Sequence, residues 1–311
     1  MSLAVVGSIA FDAVKTPFGE RERMLGGSAV HFSLASSYFT DVNVVGPVGD
    51  DFGPDEYAIL ERRGIDTSGI ETIVGGKTFF WRGHYEFDLN TAHTDDTQLN
   101  VFGDFAPKLH DGAKNADVLF LANIQPDLQR AVREQCDAKF VALDSMNLWI
   151  DIAKDSLIET IKLVDAVFMN DAEIRQLTGQ PNLVKAARDL LELGPRLVIA
   201  KQGEYGAALF SKGGFFALPA YPLEDVIDPT GAGDSFAGGF LGYVSQHIAD
   251  GAELDDHAFR RAMTYGSTMA SFNVENFGTE RVRDLTGDEI GERFGDFKQI
   301  THFEEVTVSY R

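Results

Sequence analysis

The chain has 311 residues, of which 44% are hydrophobic, and it carries 27 Lys and Arg against 48 Asp and Glu, a formal net charge of −21. A chain of this length can bury a substantial core, and no segment rich in Pro, Gly or Ser divides it, so we expect a single domain over residues 1–311. The acidic excess, without clustered Lys and Arg, argues against nucleic acid as a partner.

The amino terminus predicts a soluble cytoplasmic protein with no membrane contact. Its apolar run covers residues 3–6, which is too short for the core of a signal peptide, and no basic residue precedes it. No later run approaches the length of a membrane span. The single cysteine, Cys136, falls in a predicted amphipathic helix, where a packing role is favoured over a nucleophilic one.

Apolar runs alternate with helix-like segments along most of the chain. The predicted strands are 3–9, 42–46, 117–121, 139–143, 166–169 and 196–200, and the predicted helices are 28–38, 53–63, 127–135, 152–163 and 182–193. This alternation predicts an α/β fold in three layers, a doubly wound, mostly parallel sheet with helices on both faces. Ligands bind outside the carboxyl ends of such strands, where the sequence places Asp12, Asn123, Asp144, Asn170 and Lys201.

Two segments depart from the alternation and are predicted to form strands with no helix after them. They cover approximately residues 13–24 and 77–103, and the second contains Thr78-Phe79-Phe80-Trp81 and Gln98-Leu99-Asn100-Val101. Strand edges that are not covered can pair with another chain, so a homodimer through these segments is a candidate assembly.

The most informative segment is 228–236, which reads Asp-Pro-Thr-Gly-Ala-Gly-Asp-Ser-Phe. A proline keeps the preceding residue extended, so a helix is predicted to begin near Gly231 and to run to about Val244. The small residues Gly231, Ala232 and Gly233 would let an anion approach the unpaired amides at the start of that helix. Asp234, in the first turn, is either a helix cap or a base for a hydroxyl brought to the same anion site.

This segment is similar to the Asp-Thr-x-Gly-Ala-Gly-Asp signature of the ribokinase and phosphofructokinase-B family of small-molecule kinases. Pro229 replaces the commoner threonine, a variation that also resembles adenosine kinases. The resemblance implies a ribokinase-like fold, in which segments 13–24 and 77–103 form a small β-sheet lid over the sugar. It also assigns Gly231, Ala232 and Gly233 to the anion hole and Asp234 to the catalytic base.

The start of the chain resembles the family's substrate-binding elements. Asp12 resembles the aspartate that hydrogen-bonds substrate hydroxyls, and Gly26-Gly27 resembles the double-glycine substrate turn, although an ordinary turn aspartate looks similar. The family usually has an asparagine four residues after the second glycine, where this chain has His31. His31 is therefore either a substitute hydroxyl ligand or a satisfied helix histidine.

Two motifs resemble the nucleotide-binding parts of the family. The segment 170–173 resembles Asn-x-x-Glu, which implies that Glu173 helps to hold Mg²⁺ through water and that Asn170 lies near the phosphates of ATP. The same two residues also fit a helix N-cap and its capping-box partner, and both roles can coexist. Lys201, Gly203 and Gly206 match the Lys-x-Gly-x-x-Gly turn in which the backbone approaches ATP, with a plain hairpin turn as the alternative.

A monovalent cation site is implied beside the anion turn. Asp228 and Thr230, with the segment 273–279, resemble the parts that bind such a cation in many relatives, and their oxygens would suit K⁺. The segment 273–279 resembles adenosine kinases more than ribokinase.

The resulting prediction is an ATP-dependent kinase that uses Mg²⁺ to transfer the γ-phosphate to a hydroxyl of a sugar. The alternative is a nucleoside kinase of the adenosine kinase type, in which Phe79, Phe80, Trp81 or Phe87 could stack on the base, although a role in the core of the lid is favoured for these residues. A third candidate is a catalytically silent sensor of a sugar or nucleotide, which would have no need of Asp234. A substrate screen with ATP separates the first two candidates.

Overall fold

The computed structural model of the protein describes residues 2–304. The strands are β1 (Ser2–Val6), β2 (Ala10–Thr16), β3 (Gly19–Gly26), β4 (Asp41–Gly49), β5 (Asp66–Ile73), β6 (Phe79–Tyr85), β7 (Ala92–Gln98), β8 (Val118–Leu121), β9 (Phe140–Asp144), β10 (Ala166–Asn170), β11 (Leu197–Lys201), β12 (Ala207–Ser211) and β13 (Gly214–Leu218).

The α-helices are α1 (Ser28–Ser36), α2 (Pro54–Glu61), α3 (Asp111–Lys114), α4 (Pro126–Arg133), α5 (Asn147–Ile152), α6 (Lys154–Ile161), α7 (Asp171–Thr178), α8 (Leu183–Leu191), α9 (Ala232–Ala249), α10 (Asp256–Asn273) and α11 (Gly287–Thr301). Within the described residues there are also three short 3₁₀ helices, at Asn100–Asp104, Gly203–Tyr205 and Val282–Asp284. Within residues 2–304, no helix combines the length and hydropathy needed to cross a membrane.

The large sheet has nine strands in the order β13-β12-β11-β10-β9-β8-β1-β4-β5. The strands from β11 to β5 are parallel, and β12 and β13 extend that edge as an antiparallel hairpin. The predicted doubly wound, mostly parallel sheet is therefore confirmed.

Helices cover both faces of this sheet, and β1 shows why its sequence reads as a continuous apolar run. Leu3 and Val5 pack into the hydrophobic cluster on one face, whereas Ala4 and Val6 pack into the cluster on the other. All four side chains are fully buried. A strand that is buried on both faces has no polar alternation, which is the pattern of parallel sheets between two helical layers.

A second, four-stranded sheet has the order β3-β2-β6-β7 and corresponds to the predicted lid. β2 pairs with β6 in parallel, and β3 and β7 flank them as antiparallel strands. The first hairpin is longer than the predicted 13–24. The strand prediction for residues 100–101 is wrong, because Asn100 takes a left-handed φ of 47° and begins a 3₁₀ helix whose Phe102 stacks on Phe79 with ring centroids 5.3 Å apart.

Three further predictions need correction. The edge strand β5 was missed because its mixed polar sequence, DTSGIETI, has no apolar run. The predicted helix 152–163 corresponds to α6, which begins two residues later at Lys154, and the preceding helix α5 was not predicted. Cys136 follows α4 rather than lying in a helix, although it is buried as a packing residue should be. The single domain over 1–311 stays a prediction, and Met1 and residues 305–311 lie outside the described part.

Candidate active site

The anion turn lies directly before α9, close to where the sequence predicts the helix start. Gly231 is the N-cap and has a left-handed φ of 75°, and a Cβ at this position would overlap the imidazole ring of His31. These two constraints require glycine at position 231. The Ala232 N–H is not free, because it donates to the Pro229 carbonyl oxygen at 3.2 Å, whereas the Gly233 N–H has no acceptor within residues 2–304. The turn therefore offers a backbone donor at a positive helix end, as an anion site requires.

Asp234 lies in the first turn of α9, three residues after the N-cap, and keeps some contact with solvent. Burial of its carboxyl group, followed by the charge of Asp144, raises its pKa to about 7, against the opposing effect of Lys201. A general base works best when its pKa is near the working pH, so this environment suits proton abstraction at neutral pH. The N-cap, Gly231, has no side chain that could cap the helix, and the Asp234 carboxylate accepts a hydrogen bond from the backbone N–H of its own residue, so a capping role remains compatible with its role as a base.

A buried ion pair lies next to this turn, at the carboxyl ends of β9 and β11. The Lys201 Nζ is 2.5 Å from Asp144 Oδ2, and the two side chains are 20% and 5% exposed. Burial alone would lower the pKa of Lys201, but the carboxylates of Asp144 and Glu173 raise it above its ordinary value. Lys201 therefore brings a permanent positive charge to the edge of the sheet.

Asn170 and Glu173 form the capping box that is the structural alternative for their motif. Asn170 Oδ1 accepts from the Glu173 N–H and Glu173 Oε2 accepts from the Asn170 N–H, each at 2.7 Å. Burial raises the pKa of Glu173 to about 7, although Lys201 opposes the shift. One carboxylate oxygen, Oε1, is not used by the capping box and remains available to a hydrated cation.

The turn from Lys201 to Gly206 connects two antiparallel strands, β11 and β12, which agrees with the hairpin alternative. Gly206 has a left-handed φ of 94°, and its carbonyl oxygen accepts from the Gln202 N–H at 2.8 Å. The lid reaches this turn, because Asn90 Nδ2 donates to Glu204 Oε1 at 2.9 Å. Gly203 lies at the start of the 3₁₀ helix in the turn and faces Asn90 as well.

Asp12 does not follow the first strand of the large sheet, as the sequence suggested. β1 ends at Val6, and Asp12 lies within β2 of the small sheet, where it is 6% exposed. A Cβ at Gly26 would overlap the Asp12 carboxylate, so the double-glycine turn lies directly against this side chain. Burial raises the pKa of Asp12 to about 7, the Gly27 backbone N–H lowers it, and the charges that raise it further are Asp228 and Asp234.

His31 is partly satisfied and partly free. Its Nδ1 lies 3.0 Å from Asn273 Oδ1, and Asn273 Nδ2 donates to the Thr230 carbonyl oxygen at 2.7 Å, which fixes the orientation of the amide. Nδ1 is therefore the protonated nitrogen. Nε2 is buried without a hydrogen-bond partner within the described residues, and burial lowers the pKa of His31. A neutral imidazole with this tautomer can accept one hydrogen bond at Nε2.

Asp228 is fully buried behind the turn, where the Thr230 N–H donates to its Oδ1 and the Gly278 N–H donates to its Oδ2, both at 2.9 Å.

Sequence reasoning missed Tyr85, the last residue of the lid strand β6. Its hydroxyl oxygen accepts from Thr230 Oγ1 at 3.2 Å, and burial raises its pKa, so it stays protonated. Its position at a strand end was the available signal. The structure thus brings Asp12, His31, Asp228, Thr230 and Asp234 around one turn.

The fold is found in solved structures of related enzymes. A nucleoside kinase from Methanocaldococcus jannaschii, described as an archaeal member of the ribokinase family, matches with a TM-score of 0.76 and 21% identity, covering 95% of this chain and 98% of that one. The ribokinase-like fold is therefore confirmed.

The sequence comparisons define the family. The model of the pfkB family of carbohydrate kinases matches residues 2–284, and the chain belongs to this family. It is 31% identical over 253 residues to a cytidine kinase from Thermococcus kodakarensis, covering 79% of this chain and 89% of the relative. It is 26% identical over 310 residues to a nucleoside kinase from Methanothermobacter thermautotrophicus, covering 93% and 94%. The predictions of family and of kinase activity are confirmed, and ATP and Mg²⁺ are expected for a member of the family.

Proposed function

We propose that the protein phosphorylates the primary hydroxyl of an uncharged, ribose-containing small molecule with ATP, and that a nucleoside is the first candidate. The observation that carries the proposal is that Asp234, at the start of α9, interacts electrostatically both with a cation, Lys201, and with a buried carboxylate, Asp12. A base between an anion site and a hydroxyl site is the arrangement that phosphoryl transfer to an alcohol requires.

The donor side consists of the anion turn and the ends of β10 and β11. Asp234 takes the proton of the acceptor hydroxyl, and the turn from Gly231 through Ala232 to Gly233 receives the phosphoryl group in transit. The backbone of Asn170, Gly203 and Gly206 lines the approach of the nucleotide. Glu173 fits a hydrated Mg²⁺, because it is an oxygen donor with one oxygen outside the capping box. When bound, Mg²⁺ neutralises phosphate charge.

The acceptor side consists of Asp12, the Gly26-Gly27 turn and His31. Asp12 and the unpartnered Nε2 of His31 are hydrogen-bond acceptors, which suit the O–H groups of a sugar ring. The charges that act on Asp12 are those of Asp228 and Asp234, both negative. A phosphorylated acceptor would place another anion beside them, which favours an uncharged substrate.

A nucleoside is the first candidate because the two relatives described above, which this chain matches over most of their length, are a cytidine kinase and a nucleoside kinase. A free sugar is the second candidate, and three of the four aromatic residues named for base stacking favour it, whereas Trp81 is half-buried with its Nε1 donating to Thr94 Oγ1 at 3.2 Å. Phe79 stacks on Phe102, Phe80 packs against the core, and Phe87 is 92% exposed, so none of these three rings offers a ready platform for a base.

Three finer expectations belong to the same proposal. Asp228 is a fully buried carboxylate whose hydrogen-bond partners are two backbone N–H groups, so it and Thr230 would suit K⁺. The need for ATP favours the cytoplasm as the place of action. A homodimer through the lid would involve one of the two edge strands of the small sheet, β3 or β7, and Asp95 and Asp96 of β7 would oppose close pairing of that strand at low salt.

The test is a panel of acceptors with ATP and Mg²⁺, with ADP release as the readout. Cytidine, inosine and adenosine would be compared with ribose, fructose and ribose 5-phosphate, and Asp234→Asn would serve as the inactive reference. Turnover of a nucleoside or an uncharged sugar supports the proposal. ATP binding without turnover of any acceptor would instead indicate a sensor, and preference for the sugar phosphate would refute the uncharged acceptor.

A further inference from the structure

Lys201 has more hydrogen-bonding capacity than its ion pair uses. A lysine ammonium has three N–H donors, and the described residues provide one acceptor, Asp144 Oδ2, at 2.5 Å. The Lys201 side chain is only 20% exposed, and the N–H donors of a largely buried cation are costly to leave without partners. An anion that enters the site would meet them.

The ammonium lies directly beside the anion turn. If residue 233 had a side chain, its Cβ would lie 3.1 Å from Lys201 Nζ and 3.5 Å from Lys201 Cδ. The absence of a side chain at Gly233 therefore leaves room for the end of the lysine. The Gly233 N–H has no acceptor within residues 2–304, so the same residue also offers a free backbone donor.

Asp144 is itself held firmly. The Ser145 N–H donates to its Oδ1 at 2.8 Å. Gln129 Nε2 donates to the Asp144 carbonyl oxygen at 2.9 Å and to the carbonyl oxygens of Leu121 and Ala122, which ties the ends of β8 and β9 together. A lysine has a flexible four-carbon stem, so an anchored carboxylate is what gives its charge a fixed position.

We propose that Asp144 is a positioning residue that holds the Lys201 ammonium against Gly233, so that the lysine contacts the phosphoryl group during transfer. This rests on the proposed function, and it places Lys201 at the transferring phosphoryl group. Asp144 also adds negative charge near the phosphates, which opposes their binding. Its benefit is geometric, because a preorganised charge acts without rearrangement at the moment of reaction.

The test is a double-mutant cycle on the full chain. Lys201→Met should lower kcat by about 10²–10³-fold, the range for the loss of one preorganised charged donor. Asp144→Asn keeps the shape and removes the anchor, and it should lower kcat by about 10²-fold with little change in the KM for ATP. Because Asp144 acts through Lys201, the double variant should be no slower than Lys201→Met alone.

Asp117→Asn is the matched control. Asp117 forms an ion pair with Lys139 at 2.9 Å, beside the amino-terminal ends of β8 and β9, whereas Asp144 lies at the carboxyl end of β9. This substitution should leave kcat unchanged. A loss of thermal stability in Asp144→Asn without a loss of kcat, or equal and additive losses in the cycle, would overturn the positioning role.

A second measurement does not depend on the acceptor. Aluminium fluoride mimics a phosphoryl group in transit, and it should increase the affinity of the wild-type protein for Mg-ADP. That gain should disappear in Lys201→Met and shrink in Asp144→Asn. A wild-type chain that binds no adenine nucleotide would refute the proposed function, whereas an unchanged fluoride effect in both variants would refute the role of the ion pair alone.

Discussion

The donor side and the acceptor side of the candidate site each contain an aspartate with a raised pKa, but the charged groups around the two carboxylates differ. Asp234 on the donor side and Asp12 on the acceptor side both have a pKa of about 7, and burial is the largest cause in each case. The charge of Asp144 raises the pKa of Asp234 and that of Lys201 lowers it, whereas both charged groups that act on Asp12, Asp228 and Asp234, are carboxylates. The difference is that a cation, Lys201, acts on Asp234 alone, which agrees with the proposal that the donor side receives an anion and the acceptor side neutral hydroxyl groups.

Removal of the base should have the largest effect. Asp234→Asn should fold and bind both substrates, and lose about 10²–10⁴-fold in kcat, or roughly 3–5 kcal/mol of barrier, because the acceptor hydroxyl keeps its proton. Steady-state kinetics with ATP and the best acceptor would measure it. Asp250→Asn, at the exposed carboxyl end of the same helix, is the control and should behave as wild type. A kcat for Asp234→Asn within threefold of wild type would show that Asp234 is not the base.

The pH dependence should come next in size. Because the raised pKa of about 7 means that Asp234 is protonated below neutrality, kcat/KM should fall about tenfold for each pH unit below 7, or about 10²-fold at pH 5. If Asp12 must also be ionised to bind the acceptor, the fall should be steeper in wild type than in Asp12→Asn. A flat profile from pH 5 to pH 8 would show that neither carboxylate titrates in the reaction.

Truncation of Asp12 should change the KM for the acceptor and leave the KM for ATP nearly unchanged. Asp12→Ala leaves a substrate hydroxyl without its buried partner, so the KM for the acceptor should rise by about 5–150-fold, or roughly 1–3 kcal/mol. The KM for ATP should change little, since Asp12 lies in the lid sheet and not on the donor side. A rise in the KM for ATP of similar size would mean that the two sides are not independent.

Local patterns in the sequence were enough for the fold and for much of the donor side. Pro229 and the small residues after it predicted the start of α9 to within one residue, and the spacing of Asn170 and Glu173 predicted their capping box. Each of these features depends on neighbours in the chain. The start of the lid could not be predicted in the same way. Residues 3–9 look like one apolar strand, but β1 ends at Val6, before Gly7 and Ser8, so Asp12 lies in β2 of the lid rather than after β1.

Contacts between distant residues gave no local signal. Asp144 and Lys201 are 57 positions apart, and His31 and Asn273 are 242 apart. The sequence placed Asp144 and Lys201 at strand ends, but it could not show that they form an ion pair, because the order of β9, β10 and β11 in the sheet decides that. The link from His31 through Asn273 to Thr230 depends likewise on how α1 and α10 approach the turn.

The smallest expected effect concerns His31. Its Nδ1 proton points to Asn273, and its Nε2 is a buried acceptor without a partner within the described residues, so a substrate O–H should donate to it. The His31→Ala substitution should raise the KM for the acceptor by about 2–10-fold, the value of one neutral hydrogen bond of roughly 0.5–1.5 kcal/mol. His31→Asn, which restores the family's usual residue and a carbonyl acceptor, should recover part of the loss.

His110→Ala provides the matched control for this last measurement. His110 also has a buried Nε2 without a partner within residues 2–304, but it caps α3, whose neighbours are β1 and β4, and its Nδ1 accepts from the Ala113 N–H. Its loss should affect thermal stability and leave the KM for the acceptor unchanged. If His31→Ala behaved in the same way, His31 would be a helix histidine that supports the anion turn, and Asp12 alone would define the acceptor side.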